Sequence, residues 1–251
     1  MQSLQKYLSE ALVKYKITNY RNDNDVVDFG LSVKWLKYNL AGDKLTDDES
    51  DYGYYYQWGS TVGYPDATTH VFDWTTCPYC NGSRNSFTKY VINSKYGTVD
   101  NKTTLEPMDD AVTALLGSDY RMPTADEYIE LCDHCGGIHS GSLYGTYSYL
   151  KSGIYWVVAG TTVDGVKYTN HGYLFVGQDV TKHVFFPAAG SSVHNVGYHG
   201  NGAYYGNYWS STLSLGDSYY AYGLHYENGV VHPTDYYYRS DAFSIRGVKV
   251  K

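Results

Sequence analysis

The spacing of apolar residues changes along the chain and divides it into a helical start, a mixed middle and a strand-rich end. Near the start, apolar side chains recur every three or four positions, at Leu4, Tyr7, Leu8, Ala11, Leu12 and Tyr15. This pattern predicts an amphipathic helix and a turn over residues 1–25. The helix either packs on the body of the protein or projects from it as an assembly helix.

The middle of the chain shows both strand and helix patterns. Near-alternation of apolar residues over 26–40 and the aromatic run DYGYYYQWG at 51–59 are typical of strands. One helix is predicted over 108–116. A second is predicted to begin after Thr124, because Glu127 three residues later completes a capping box.

Helical patterns end at about residue 150, and short strand-like runs separated by Gly, Asn, Asp and Ser follow. These runs are YWVVAG, KYTNHGYLFV, HVFFPAAG, AYGLHYENGVVHP and AFSIRGVKV. A few early helices with many later strands predict an α+β fold. We expect one domain over 26–251, since no linker or tandem repeat interrupts it.

Length and charge narrow the function classes. A chain of 251 residues can bury a large core without help from a metal or disulfides. Its net charge of -7 argues against general binding to nucleic acids or anionic membranes. No apolar run is long enough to cross a bilayer, and the N-terminal sequence lacks the apolar core of a signal peptide. We therefore expect no nucleic-acid partner and no membrane span.

Seven segments, taken together and in order, carry a resemblance to a known family. They are VDFGLSVKWLKYNLAG (27–42), DYGYYYQWG (51–59), YGTVDNKTTLEPMDDA (96–111), YRMPTADEYIEL (120–131), VFFPAAG (184–190), NYWSST (207–212) and FSIRGV (243–248). The chain resembles the Bacteroidetes major-paralogous-domain proteins from about residue 26 to its end. The resemblance implies a C-type-lectin-like fold of the formylglycine-generating-enzyme subtype.

The resemblance also implies a function. Some proteins of this fold are variable proteins of diversity-generating retroelements, in which a reverse transcriptase rewrites the C-terminal coding region with errors at template adenines. They are displayed on phage tail fibres or bacterial surfaces, where a rigid scaffold presents the variable side chains. For this chain the expected partner is a protein or glycan receptor. The expected location is a virion tail tip or a bacterial cell surface.

The composition of residues 191–241 fits such rewriting. Tyr, His, Asn, Asp, Ser and Thr dominate this stretch, which holds 11 of the 31 tyrosines. Asparagine codons mutated at adenines give this mixture of residues. Tyrosine combines contact area with low side-chain entropy, as in antibody binding loops. The predicted ligand-binding residues are His194, Tyr198, His199, Tyr204, Ser218, Tyr219, Tyr220, Tyr222, His225, Glu227, His232, Thr234, Asp235, Tyr236, Tyr237, Ser240 and Asp241.

Cross-strand packing is the competing interpretation of these tyrosines. We expect it for Tyr205, Tyr208, Trp209 and Tyr226, with Trp209 in the core. Exposure is predicted instead for Tyr219, Tyr220, Tyr222, His225, Thr234, Asp235, Tyr236, Tyr237, Ser240 and Asp241.

Four cysteines form two C-x-x-C pairs, Cys77 with Cys80 and Cys132 with Cys135. Together they have the ligands of a closed, all-cysteine structural zinc site, which is the first prediction. Disulfides, within each pair or between Cys80 and Cys135, are the second. Glutaredoxin-like redox chemistry is disfavoured, because Asn81 begins a turn where such an enzyme needs a helix.

Enzymatic activity is not expected. The enzyme that gives this fold subtype its name uses reactive cysteines in its C-terminal part, whereas this chain has no cysteine after Cys135. No catalytic motif with the required spacing is present. The remaining alternatives are a non-diversified adhesin of the same fold and a structural component of a fibre or pilus.

Overall fold

Short strands are the commonest regular elements in the part of the chain that a computed structural model describes, namely residues 23–66, 70–136, 141–143, 146–147, 152–193, 196–199, 204–227 and 229–251. The strands are β1 (Val26–Val27), β2 (Val33–Ala41), β3 (Lys44–Leu45), β4 (Tyr56–Gln57), β5 (Tyr120–Arg121), β6 (Gly141–Leu143), β7 (Thr146–Tyr147), β8 (Gly153–Val157), β9 (Thr162–Val163), β10 (Val166–Lys167), β11 (Gly172–Val176), β12 (His183–Pro187), β13 (Gly190–Val193), β14 (Val196–His199), β15 (Tyr205–Leu213), β16 (Tyr220–Glu227), β17 (Val230–Tyr238), β18 (Ala242–Phe243) and β19 (Arg246–Val250).

Two α-helices and three 3-10 helices accompany these strands in the described part of the chain. They are α1 (Ala111–Leu116), α2 (Ala125–His134) and the 3-10 helices Asp23–Asp25, Ser94–Tyr96 and Pro107–Asp109. The predicted α+β class is therefore confirmed. The helix predicted ahead of residue 23 lies outside the described residues. No helix in the described ranges is long and apolar enough to cross a membrane.

The strands form four sheets. The largest has the order β17-β16-β15-β13-β18-β4, with β14 paired to β13. A second has the order β1-β2-β19-β5, with β3 paired to β2. The other two have the orders β12-β11-β8-β6 and β10-β9-β7. Because β2 and β19 pair antiparallel, the beginning and the end of the described chain lie side by side.

The capping box predicted for the second helix is confirmed. The Glu127 N–H donates to Thr124 Oγ1 at 3.2 Å, and the Thr124 N–H donates to Glu127 Oε2 at 2.8 Å. Arg121 also binds the Glu127 carboxylate through two guanidinium nitrogens. The buried side of α2, including Tyr128 and Leu131, joins the core cluster that contains residues of β16 and β17.

Two predicted elements are shorter than expected. The helix predicted over 108–116 is split, because Asp110 has extended backbone and caps α1 through the N–H groups of Val112 and Thr113. In the run 51–59 only β4 forms. Gly53 and Gly59 adopt positive φ values of 72° and 81°, which interrupt an extended strand on both sides.

A buried arginine fixes two sheets to each other. Arg246 on β19 is 0% exposed and donates to the carbonyls of Leu36 and Lys37 on β2 and of Phe185 on β12. Its Nε donates to Asn39 Oδ1 at 2.8 Å. Since an unpaired buried charge is costly, these hydrogen bonds define one arrangement of the sheets.

The four tail residues predicted to pack across strands lie on β15 and β16. Trp209, predicted to lie in the core, is 0% exposed and stacks on Phe243 at 4.2 Å between ring centroids. Tyr208 and Tyr226 are 0% exposed as well. Tyr205 is partly buried, and its ring lies 6.5 Å from that of His225 on the neighbouring strand.

Candidate ligand-binding face

The hairpin of β16 and β17 carries most of the predicted binding residues. In its antiparallel register Tyr220 lies opposite Tyr238 and Tyr222 lies opposite Tyr236. Residues directly opposite each other, and residues two positions apart on one strand, share a face of a sheet. All four tyrosines therefore lie on one face of the hairpin.

Three rings of this face contact one another and two further aromatic rings beside it. The Tyr220 ring lies 4.4 Å from Tyr219, 4.9 Å from Tyr238 and 5.0 Å from Tyr236, measured between centroids. Tyr238 extends the contacts to Trp74 at 5.6 Å. We call Trp74, Tyr219, Tyr220, Tyr236 and Tyr238 the tyrosine row. Its outermost member, Tyr236, is 54% exposed and the others are partly buried.

The hydroxyls of the row bond to each other and to one carboxylate. Tyr219 and Tyr96 both donate to Asp217. A hydrogen bond between Tyr220 and Tyr238, together with burial, raises the pKa of Tyr220. Burial and the Asp217 carboxylate likewise raise the pKa of Tyr219. These phenols are uncharged at neutral pH, so they offer hydrogen bonds and ring surface without net charge.

Arg239 anchors the row to the rest of the protein. It is 0% exposed and donates to the carbonyls of Lys89, Tyr90 and Ser218. Its guanidinium carbon lies 4.4 Å from the centroid of the Phe87 ring. Burial lowers the pKa of Arg239 to about 9. These contacts connect the end of β17 with the segment 87–91 and with the turn before β16. One buried side chain therefore fixes the positions of both Tyr238, at the end of β17, and Tyr219, immediately before β16.

The opposite face of the hairpin belongs to the core. Ala221 lies opposite Tyr237 in the register, and the Tyr237 ring packs on Phe243 at 5.0 Å. The Tyr237 hydroxyl donates to Asp235 Oδ2 at 2.8 Å, and burial together with this bond raises the pKa of Tyr237. Tyr237 was predicted to be exposed. It is half-buried, because the alternation of the strand turns it away from the row.

A bulge ends the tyrosine-rich part of the face. The register shifts between Gly223 and His225, and Pro233 lies on the strand that carries the extra residue. Proline is tolerated there because a bulge leaves one residue without a ladder hydrogen bond. His225 was predicted to be exposed but is only 9% exposed, with Nδ1 2.8 Å from Asn207 Oδ1. Burial lowers the pKa of His225.

Three further predicted binding positions are buried. Ser218 is 0% exposed, and its Oγ accepts the Ile92 N–H at 3.0 Å. Ser240 is 2% exposed, and its carbonyl accepts Gln57 Nε2 at 2.9 Å. Asp241 is also 2% exposed, and burial raises its pKa to about 8. The expected exposure of Ser240 and Asp241 is wrong, because both follow the strand end where Arg239 turns the chain into the core.

Of the remaining predicted ligand-binding residues, some have accessible side chains and others have side chains that lie outside the described part of the structure. Exposed side chains are Tyr204, Glu227 and His232, and partly exposed ones are Tyr222, Thr234 and Asp235. Tyr198 and His199 belong to β14, and His194 lies outside the described residues. Contact with a ligand stays a prediction for all of these residues.

The two C-x-x-C pairs lie in different parts of the core. Cys77 and Cys80 form a disulfide with Cα atoms 5.5 Å apart, in a cluster that includes Tyr96 and borders the row. Cys132 and Cys135 are free, buried and part of the cluster around α2. The predicted four-thiol arrangement is therefore not formed, since the two pairs belong to separate clusters. The disulfide within the first pair was the second prediction.

The free thiols are not activated. Burial raises the pKa of Cys132 and raises the pKa of Cys135 to about 12, so both are protonated at neutral pH. Within the described ranges, no three or more His, Cys, Asp or Glu side chains come together as a metal-binding group. Zinc binding stays a prediction, which metal analysis would test.

Sequence patterns did not identify two members of the row. Trp74 lies in a segment without clear periodicity, far from the tail. Tyr238 was left out of the predicted binding residues, although its neighbours Tyr236 and Tyr237 were included. The alternation of β17 is the signal that separates them, because it pairs Tyr236 with Tyr238 on one face.

Similarity to known proteins adds nothing to this geometry. Comparison of the chain with protein families, curated proteins and solved structures finds no match. The function is therefore inferred from the residues of this chain.

Proposed function

We propose that this protein binds a receptor through the tyrosine row and the neighbouring exposed positions of the β16–β17 hairpin. One observation carries the proposal. Three tyrosines on one face of a hairpin are joined by Tyr219 and Trp74 beside it, while the other face and the ends of the strands are tied to the core. This arrangement gives a rigid surface whose outer side chains contribute little to the core.

The chemistry of the row favours a protein or glycan receptor. Neutral phenols provide large contact area, stacking and hydrogen bonding, and they lose little entropy on binding because each has two rotatable bonds. Binding would therefore depend on shape and hydrogen bonds more than on long-range charge. It would be only weakly sensitive to salt.

We further propose that the exposed tail positions are diversified by a retroelement on a C-type-lectin-like scaffold of the formylglycine-generating-enzyme subtype. Display on a virion tail tip or a bacterial surface would bring the row to its receptor. The composition of residues 191–241 supports diversification, because adenine-directed changes in asparagine codons give its Tyr, His, Asp, Ser and Thr. We expect sequence variation only at the exposed tail positions, because substitutions at buried framework positions would disturb the core.

Population sequencing of the 3′ end of the gene and its flanks tests diversification. We expect a nearby reverse transcriptase and a near-identical repeat that differs at adenines. Variation should fall on Tyr220, Tyr222 and Tyr236 and spare Ser218 and Arg239. An invariant 3′ end without a reverse transcriptase would contradict diversification and leave a fixed adhesin as the alternative.

Binding itself is tested with the double variant Tyr220→Ser/Tyr236→Ser. Wild-type protein and variant are compared on a glycan array and on a panel of intact bacterial strains. The matched control is Leu215→Ser, which changes a residue that is 66% exposed outside the row. We expect binding to fall about tenfold or more in the double variant alone, at an unchanged melting temperature. Equal binding by wild type and double variant would contradict the proposal.

A further inference from the structure

A second group of aromatic side chains lies apart from the tyrosine row. Trp156 on β8 and His171 before β11 have ring centroids 5.7 Å apart and planes only 8° from parallel. Tyr204, immediately before β15, lies 6.2 Å from Trp156 and 5.9 Å from His171. We call these three residues the Trp156 platform.

The platform and the row lie at opposite ends of the same strands. Tyr205, next to Tyr204, pairs with Glu227 at the end of β16, whereas the row begins at Tyr220. β16 has eight residues and is about 23 Å long at ~3.3 Å per residue. A ligand of a few ångströms on the platform therefore does not reach the row.

The platform is accessible and firmly supported. Tyr204 is 65% exposed, and Trp156 and His171 are partly exposed. Below them, the buried Tyr173 lies opposite Trp156 in the β8–β11 register and meets its ring edge-on at 5.1 Å. Because Tyr173 holds the Trp156 ring in place, this ring loses little conformational entropy when a ligand binds, which favours affinity.

The platform has two polar groups beside its rings. The Ala159 N–H donates to His171 Nδ1 at 3.3 Å, so Nδ1 is the acceptor and the ring proton lies on Nε2. The Nε2–H group and the Tyr204 hydroxyl can both form hydrogen bonds to a ligand.

We propose that the Trp156 platform binds a neutral pyranose saccharide. The faces of aromatic rings carry partial negative charge and attract the weakly positive C–H groups on the flat side of a pyranose. His171 Nε2 and the Tyr204 hydroxyl supply hydrogen bonds to sugar hydroxyls at the edge. A pyranose presents a flat C–H face and hydroxyl groups at its edge, so it matches aromatic rings with two hydrogen-bonding groups beside them.

The platform would act as a constant binding site at some distance from the row. Trp156 and His171 lie outside residues 191–241, so diversification of the tail would leave two of the three rings unchanged. The inference is independent of the proposed function, because it concerns other residues and a different ligand.

Tryptophan fluorescence and calorimetry with three probes test the platform. The probes are neutral oligosaccharides of glucose, xylose and mannose, with choline as a cationic comparison. We expect saturable binding of at least one oligosaccharide. Binding should weaken about tenfold or more in Trp156→Ala and less in Tyr204→Ala, since the latter removes one exposed ring only.

Controls separate the platform from the row. His171→Asn keeps a polar side chain and should weaken binding less than Trp156→Ala, while Tyr220→Ser/Tyr236→Ser should leave saccharide binding unchanged. If Trp156→Ala does not fold, Trp156→Phe replaces it and should bind with intermediate affinity. The inference is overturned if no oligosaccharide binds saturably, if only choline binds, or if binding is lost in the row variant and kept in the platform variants.

Discussion

Tyrosines of the largest sheet have two different roles in this protein. Tyr208 and Tyr226 are 0% exposed, and both hydroxyls donate to the Pro187 carbonyl, at 2.7 and 2.6 Å. Tyr236, which is 54% exposed, and Tyr220 lie on the same hairpin with their rings in contact. One pair holds the sheets together, and the other pair forms a surface.

The difference lies in what each side chain meets across the sheet. Tyr226 and Leu224 share a face with Tyr220 by alternation, but Tyr226 packs on Tyr173 of β11 at 4.8 Å between ring centroids and donates to the Phe186 and Pro187 carbonyls of β12. Beyond the bulge at Gly223 the same face carries the row. The packing of β11 and β12 against one end of the hairpin therefore separates the core tyrosines from the accessible ones.

The largest expected effect concerns a buried tyrosine. Tyr226→Ala should lower the free energy of unfolding by about 3–5 kcal/mol, because it removes a fully buried ring and leaves a cavity. Urea denaturation measures this loss. Tyr236→Ala is the matched control and should change stability by less than ~0.5 kcal/mol. Similar losses of stability in both variants would contradict the distinction between buried, structural tyrosines and exposed ones.

The first C-x-x-C pair supports the row from outside the tail. Cys77→Ser/Cys80→Ser should cost about 2 kcal/mol, as expected for opening a very short disulfide loop. Thiol titration of unfolded, unreduced protein should find the two thiols of Cys132 and Cys135, and metal analysis of the same preparation tests for zinc. Four thiols with one equivalent of zinc would favour the all-cysteine site instead.

Removal of a single hydroxyl should also affect stability differently in a core tyrosine and in a tyrosine of the row. Tyr226→Phe should cost about 1–2 kcal/mol, because its hydroxyl bonds buried carbonyls of Phe186 and Pro187. Tyr220→Phe should cost less than ~0.5 kcal/mol, since its partner Tyr238 is half-buried and can turn to water. Both are measured by urea denaturation, and equal costs would contradict the assignment of roles.

A smaller effect depends on pH. Burial lowers the pKa of His225 from its usual 6.5, although Asp235 and Glu227 act in the opposite direction. Protonation therefore favours the unfolded chain. The stabilisation is complete above the unfolded pKa and is lost as the pH falls below it.

Denaturation at pH values on both sides of that pKa measures the loss. His225→Gln should flatten the dependence without removing it, because burial also lowers the pKa of His183. His232→Gln removes one of the causes that lower the pKa of His225, since the two rings lie 6.0 Å apart, and should flatten the dependence by less than His225→Gln. An unchanged slope in His225→Gln would show that other groups control the effect.

The sequence alone determined the local features of this protein. Thr124 and Glu127 set the start of α2 because a capping box needs only residues three positions apart. Alternating apolar runs marked the later strands, and Trp209 was identified as core from its local pattern. The excess of tyrosine in the tail was also visible, and it led to the search for an exposed surface.

Only the tertiary structure decided which tail residues face outward. Ser218, Ser240 and Asp241 resemble binding-loop residues in composition, yet they are buried around the turn that Arg239 fixes. Trp74 joins Tyr238 across a long stretch of sequence. Burial depends on strand register and on what each layer packs against, and neither is encoded by neighbouring residues alone. The local sequence therefore specified the elements and the chemistry, and the packing of the sheets selected the surface.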